Sequence, residues 1–204
     1  MTLRGTKAMA AGKFGMAASL AALMLLGGCV SLGGKEPKQL IALTSAATAP
    51  AGTASVGKMS DALVVLDPDT DRRIDVLRIP VIVDDATVAY LKDATWVERP
   101  ARQFRRLLAE TIRAKGGRLV VEGDDAEIAG KTKLGGRLLD LGYDARSQSV
   151  IVRYDALHEG ADGAVRTKRF EATVPGISAD AKSVGPALNR AANEIAAQVA
   201  EWAG

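Results

Sequence analysis

The single cysteine of the chain, Cys29, closes the tetrapeptide Leu26-Gly27-Gly28-Cys29, and there residue type and position together specify a covalent reaction. A thiol at this point can carry a diacylglycerol through its sulfur, and the small Gly28 before it lets the backbone enter a signal peptidase. Upstream lie a basic start, with Arg4, Lys7 and Lys13 and no acid, and an apolar run from Phe14 to Leu26. These are the parts of a secretory signal. The run is shorter than the roughly 20 apolar residues a spanning helix needs. The pattern is a bacterial lipobox, and it predicts cleavage after Gly28 and lipidation of Cys29. Each buried methylene contributes about 0.8 kcal/mol, so two or more acyl chains hold a protein stably where one holds it marginally. Val30 stands where an aspartate would retain a Gram-negative lipoprotein at the inner membrane, so the expected location is the periplasmic face of the outer membrane.

Other candidate chemistry fails on residue type or placement. Gly52 to Lys58 has the spacing of a phosphate-binding loop, but Met59 stands where a hydroxyl must hold magnesium. Asp67, Asp69 and Asp71 alternate as in a calcium loop, yet Arg72 replaces the turn glycine and Arg78 the bidentate glutamate, which predicts a solvated turn. Asp124, Asp125 and Glu127 lie in a polar stretch with no histidine or nucleophile at useful spacing. His158, the one histidine, sits beside Glu159-Gly160 and is expected as an exposed turn residue. No catalytic group, metal or cofactor is implied.

Charge sharpens the picture. The predicted signal carries three of the 27 Lys and Arg and none of the 24 Asp and Glu, so residues 29–204 are balanced at 24 of each. A basic surface for nucleic acid or anionic lipid is therefore not supported. One cysteine rules out an intrachain disulfide, and with 48% hydrophobic residues the chain must rely on burial for its stability.

Residues 30–37 and 44–60 are poor in large side chains and predict a lipidated tether and a low-complexity linker, with a short first strand at 39–43 between them. The folded domain is expected over 61–204. Strands are predicted at 62–66 and 74–83, with Pro80 placing the second at an edge or a bend. Pro100, then Phe104, Leu107, Leu108, Thr111 and Ile112, predict an amphipathic helix ending at Lys115 before Gly116-Gly117. A short strand at 119–122 and a loop over 123–130 follow. Residues 134–144 and 149–157 predict a hairpin, with Leu139, Leu141 and Tyr143 alternating on one strand and Val150, Val152 and Tyr154 on the other. A strand at 168–174 and a last helix with the stripe Val184, Leu188, Ala191, Ile195, Val199 and Trp202 complete the chain. The predicted class is α/β of the α+β type: two amphipathic helices on a mostly antiparallel sheet of five to six strands.

Two groups of residues suggest partners. Arg102, Arg105, Arg106 and Arg113 fall on the polar side of the first helix, as a solvated face or, more sharply, a docking surface for an acidic partner. Tyr90 and Trp96 lie in a connecting segment with no clean period, as core anchors or as interface anchors.

The stretch from Arg78 to Glu110, with Tyr90-Leu91, Trp96 and Pro100 opening the helix, resembles the ABC-type transport auxiliary lipoproteins, the PqiC-like family. Lys168-Arg169-Phe170 and the Ala-rich last helix extend the likeness over roughly Gln39 to Trp202, while the linker at 44–60 departs from the pattern. The resemblance implies a small α/β domain without enzymatic activity, some members of the family forming rings. It implies an outer-membrane accessory of an MCE-type phospholipid transport system, working with a periplasmic MCE protein and an ABC permease and ATPase. The competing function class is an envelope-integrity or assembly lipoprotein that binds peptidoglycan or outer-membrane proteins. Replacing Cys29 with Ser should leave unprocessed precursor, and radiolabelled palmitate entering the Cys29→Ser chain would sink the lipobox reading.

Overall fold

The computed structural model describes residues 39–123 and 130–204. Gly28, Cys29, Asp124, Asp125 and Glu127 lie outside the described residues. Strand β8 (Thr132–Asp144) is bonded along both edges. On one edge it runs antiparallel to β9 (Ser149–Glu159), which in turn runs antiparallel to β10 (Val165–Pro175). Its other edge takes three short strands in succession, all parallel to it: β2 (Leu63–Val65), β3 (Asp69–Thr70) and β4 (Pro80–Ile82). Beyond β2 lies β7 (Val120–Glu122), and beyond β4 lies β5 (Val88–Tyr90). A separate two-stranded sheet pairs β1 (Gln39–Ile41) in parallel with β6 (Ala94–Trp96), Gln39 opposite Ala94. The α+β class holds, but the main sheet is mixed and has eight strands.

Helix α1 (Pro100–Lys115) spans the predicted residues. Proline opens it, where a missing N–H costs nothing, and Gly116 and Gly117 at φ 77° and 90° stop it, since side chains there would be strained. Helix α2 (Ala181–Ala203) starts at Asp180, whose carboxylate accepts from the Ser183 N–H at 2.9 Å, a cap contributing about 1 kcal/mol. The helices pack against each other, and α2 lies on β8, β9 and β10. Phe104, Leu108, Leu188, Ile195 and Val199 are buried there with Tyr154, and the Phe104 and Tyr154 rings meet edge to face at 5.1 Å. The Tyr154 hydroxyl donates to the Gly135 carbonyl, and burial raises its pKa.

A bulge at Leu138/Asp140 decides which β8 side chains enter the core. Before it Leu134 and Leu138 are buried, after it Leu141 and Tyr143. Leu139 is the extra residue, only half-buried, so the predicted Leu139-Leu141-Tyr143 alternation is replaced by Leu138-Leu141-Tyr143. The predicted strand over 74–83 shrinks to β4. Residues 72–78 make turns and bends that drop Ile74 and, after them, Ile79 into the core, so the β-branched residues fill space without forming a ladder. Pro80 is the first residue of β4, a strand that lies between β5 and β8 and not at an edge.

Residues 42–49, of which 42 and 43 are predicted in the first strand and 44–49 in the linker, form a strap held by helix side chains. The Leu43 N–H donates to Gln103 Oε1 at 2.9 Å, Thr44 to Asn189 at 2.8 Å, Ala46 to Asn193 at 2.7 Å and Ala49 to Glu110 at 2.9 Å. Poverty in large side chains leaves such a segment without a core of its own, but four of its backbone donors are satisfied by side chains of α1 and α2.

Gly136, at φ 133°, would place a Cβ 2.0 Å from the Asp155 carbonyl oxygen on β9. Gly136→Ala should therefore lower the unfolding free energy by about 3 kcal/mol, read as a fall in the thermal midpoint. An unchanged midpoint would mean that β8 and β9 can part there at no cost.

Candidate functional site

The arginines of α1 are matched mostly by acids that the fold brings from outside the helix. Arg105, 18% exposed, lies 3.3 Å from both Asp67, which follows β2, and Glu122, which ends β7. Arg106 pairs with Glu98, just before the helix. Arg113 reaches Glu110 at 2.6 Å and Glu122 at 3.3 Å, and Arg99 reaches Asp75 at 2.6 Å. Arg102, 61% exposed, is only loosely engaged, 3.7 Å from Glu98 and 4.0 Å from Asp67. The cationic stripe of the sequence is thus largely compensated, and Arg102 and Arg106 are the members left at the surface. The Ala49 N–H, then Arg113, hold the Glu110 carboxyl below its ordinary pKa.

The two aromatics part company. Trp96 is 1% exposed on β6, with Ala94 also inward, so it is a core anchor and offers no surface to a partner. Tyr90 on β5 is half-buried, and the Arg78 guanidinium stacks 3.8 Å from its ring centre. Of the aspartates with calcium-like spacing, Asp67 serves Arg102 and Arg105, Asp69 pairs in β3, and Asp71 binds Arg73 at 2.8 Å. Among the described residues no group of three or more His, Cys, Asp or Glu is placed to hold a metal, and no helix is long and apolar enough to cross a membrane.

On the side of the sheet away from α2, β8 to β10 carry a network that composition did not reveal. Arg153 bridges Asp140 and Glu171, Arg73 joins Asp140 at 2.9 Å, and Arg169 clamps Asp155 with two bonds of 2.6 Å. Those arginines hold the Asp155 and Glu171 carboxyls below their ordinary range. A groove lined by Arg137, Leu157, Thr167 and Arg169 crosses the same side. The signal in the sequence was the alternation of opposite charges along β9 and β10, but the register between the strands, which makes them partners, was not readable.

His158 corrects another expectation. It is 6% exposed, because β9 runs on to Glu159 and its register carries His158 between Leu134 and Arg166. Its ring meets Trp202 edge-on at 6.0 Å, Nδ1 lies 3.5 Å from Arg166, and Nε2 is buried without a partner. Burial first, then Arg166 and Arg118, lower its pKa from the ordinary 6.5.

The domain is thus a helix-covered mixed sheet with most of its arginines paired to its own carboxylates. The chain belongs to the family of ABC-type transport auxiliary lipoprotein components, a model of which matches residues 42–200. It is therefore an auxiliary component of a transport system by family. Its fold is similar to that of a Xanthomonas campestris protein of the DUF330 family, with a TM-score of 0.65 and 19% identity over 80% of this chain and 94% of that one. It is also similar to an uncharacterised protein of known crystal structure, with a TM-score of 0.60 and 13% identity over 74% and 97%. At such identities the likeness concerns the fold alone. No curated protein matches the sequence.

The His158 shift has a pH consequence. A depressed histidine pKa means that the unfolded chain takes up its proton first, so full stability is present above about pH 6.5 and is lost as pH falls from there toward the folded pKa. In denaturant melts, His158→Phe should lose less stability than the native chain between pH 7.5 and 5. Equal losses would show that His158 does not carry the effect.

Proposed function

We propose that this protein is a non-enzymatic, lipid-anchored accessory of an MCE-type transport system, held by Cys29 at the periplasmic face of the outer membrane. There it docks the periplasmic MCE component and helps phospholipid cross between membranes. The observation that carries this reading is the coincidence of a lipobox with a match to the transport-auxiliary family that begins thirteen positions later, at 42. From Cys29 to Lys38 the tether has ten residues, which reach at most about 35 Å. Such a leash keeps the domain near the bilayer and delivers whatever it binds to the membrane surface.

Docking fits a domain whose charges are mostly satisfied within itself. An interface that need not strip many unpaired charges of water avoids the largest cost of association. Within the arginine stripe, Arg102 and Arg106 are the residues with surface to offer an acidic partner, and Tyr90, under Arg78, supplies an aromatic face nearby in the chain.

Affinity purification of the tagged chain from crosslinked cells should recover an MCE-domain protein together with the ABC permease, and the tagged chain should fractionate with outer-membrane vesicles. Recovery of neither transport component, in cells where the chain is expressed and lipidated, would overturn the reading.

A further inference from the structure

Strand β10 ends the main sheet, and among the described residues nothing pairs with its outer edge. It is eleven residues long, and Val165 to Arg169 are all exposed, Val165 by 57%. In an antiparallel ladder alternate residues turn their N–H and C=O groups away from the neighbour, so this edge offers a row of unmet donors and acceptors. Proteins commonly guard such edges with mobile lysines.

Here the cations are held in place. Arg166 and Lys168 point to the same side of the strand as Phe170. The Arg166 guanidinium lies 5.2 Å from the Trp202 ring centre, and the Lys168 ammonium lies 5.0 Å from that of Phe170. Phe170 and Trp202 pack edge to face at 5.8 Å, so both platforms belong to the β10–α2 junction. A ring face orients a cation without cancelling its charge. Neither cation pairs with a carboxylate among the described residues, whereas Arg153 and Arg169, on the opposite side of the sheet, are bound to acids of the chain itself. Arg118 adds a further positive charge beside His158. The edge is thus open, extended and positive on one side only.

We propose that the free edge of β10 takes up an extended acidic segment of a partner protein as an added strand, with Arg166 and Lys168 meeting carboxylates two residues apart on that segment. The period of two follows from the pleat: alternate side chains of the incoming strand share a face, at the spacing of Arg166 and Lys168. Main-chain bonds to the edge supply the attachment and the two cations set the register. This is independent of the lipid anchor and of the nature of the transported molecule.

The test uses the full-length chain in detergent and a fluorescein-labelled, end-blocked octapeptide alternating glutamate and threonine. It should bind with an affinity that falls as salt rises, and it should slow amide exchange at Val165 to Arg169. Reversing both charges, Arg166→Glu with Lys168→Glu, should weaken binding by about tenfold or more, and N-methylation of alternate threonine amides should abolish it. If circular dichroism shows the reversed chain to be misfolded, Arg166→Gln with Lys168→Gln is read in the same way. Several results would overturn the proposal: no binding, binding untouched by the substitutions or by N-methylation, capture of phosphatidylglycerol vesicles in place of the peptide, or a change of self-association alone.

Discussion

Strand β8 is the member on which the other elements depend, because it is hydrogen-bonded on both sides along most of its length. On one side the partner is a single long strand, β9, close in sequence. On the other side three short pieces, β2, β3 and β4, line up end to end, none of them long enough to stand alone. A strand of two or three residues gains too few hydrogen bonds to offset its ordering entropy unless a ready-made edge is waiting. The β8–β9 hairpin supplies that edge. Gly136 lets the two strands approach where a Cβ would collide with the Asp155 carbonyl, and the bulge at Leu138/Asp140 turns the second half of β8 so that Leu141 and Tyr143 join the same core as Leu134 and Leu138.

The helices then seal one side of this sheet. Ala192, Ala196, Ala200 and Ala203 on α2 are all buried, and small side chains there allow the larger Leu188, Ile195 and Val199 to fill the remaining space. The strap from Leu43 to Ala49 is fastened across α1 and α2 by Gln103, Glu110, Asn189 and Asn193. This ties the first described residues of the domain to its last helix.

Charge is distributed with the same economy. Most arginines of α1 and of the sheet are met by carboxylates that arrive from other elements, so a chain rich in arginine does not become a basic surface. The compensation is incomplete at Arg102, at the start of α1, which is only loosely engaged, and at Arg166 and Lys168 on β10, which lie over aromatic rings.

What the sequence determined by itself was everything that depends on neighbours a few residues apart. Pro100, the three-to-four spacing of Phe104, Leu108 and Ile112 and the stop at Gly116-Gly117 delimit α1 to the residue. The alternation of Val150, Val152 and Tyr154 marks β9, and the lipobox reading of Cys29 rests on neighbouring residues alone. Tertiary structure alone decided the features that rest on distant pairings. The β-branched residues from Ile74 to Ile79 look like a strand but lie in turns and bends that put Ile74 and Ile79 in the core, and pairing with β8 resumes only at β4. His158 and Trp96 are buried because of the register and packing of their strands, not because of anything beside them in the chain. The arginine stripe is legible as a stripe, but Asp67 and Glu122, which compensate it, lie in segments that only the folded sheet brings within 3.3 Å of Arg105. Local propensity is written in the spacing of side chains, whereas register and charge pairing are settled by which edges and faces find one another when the chain collapses.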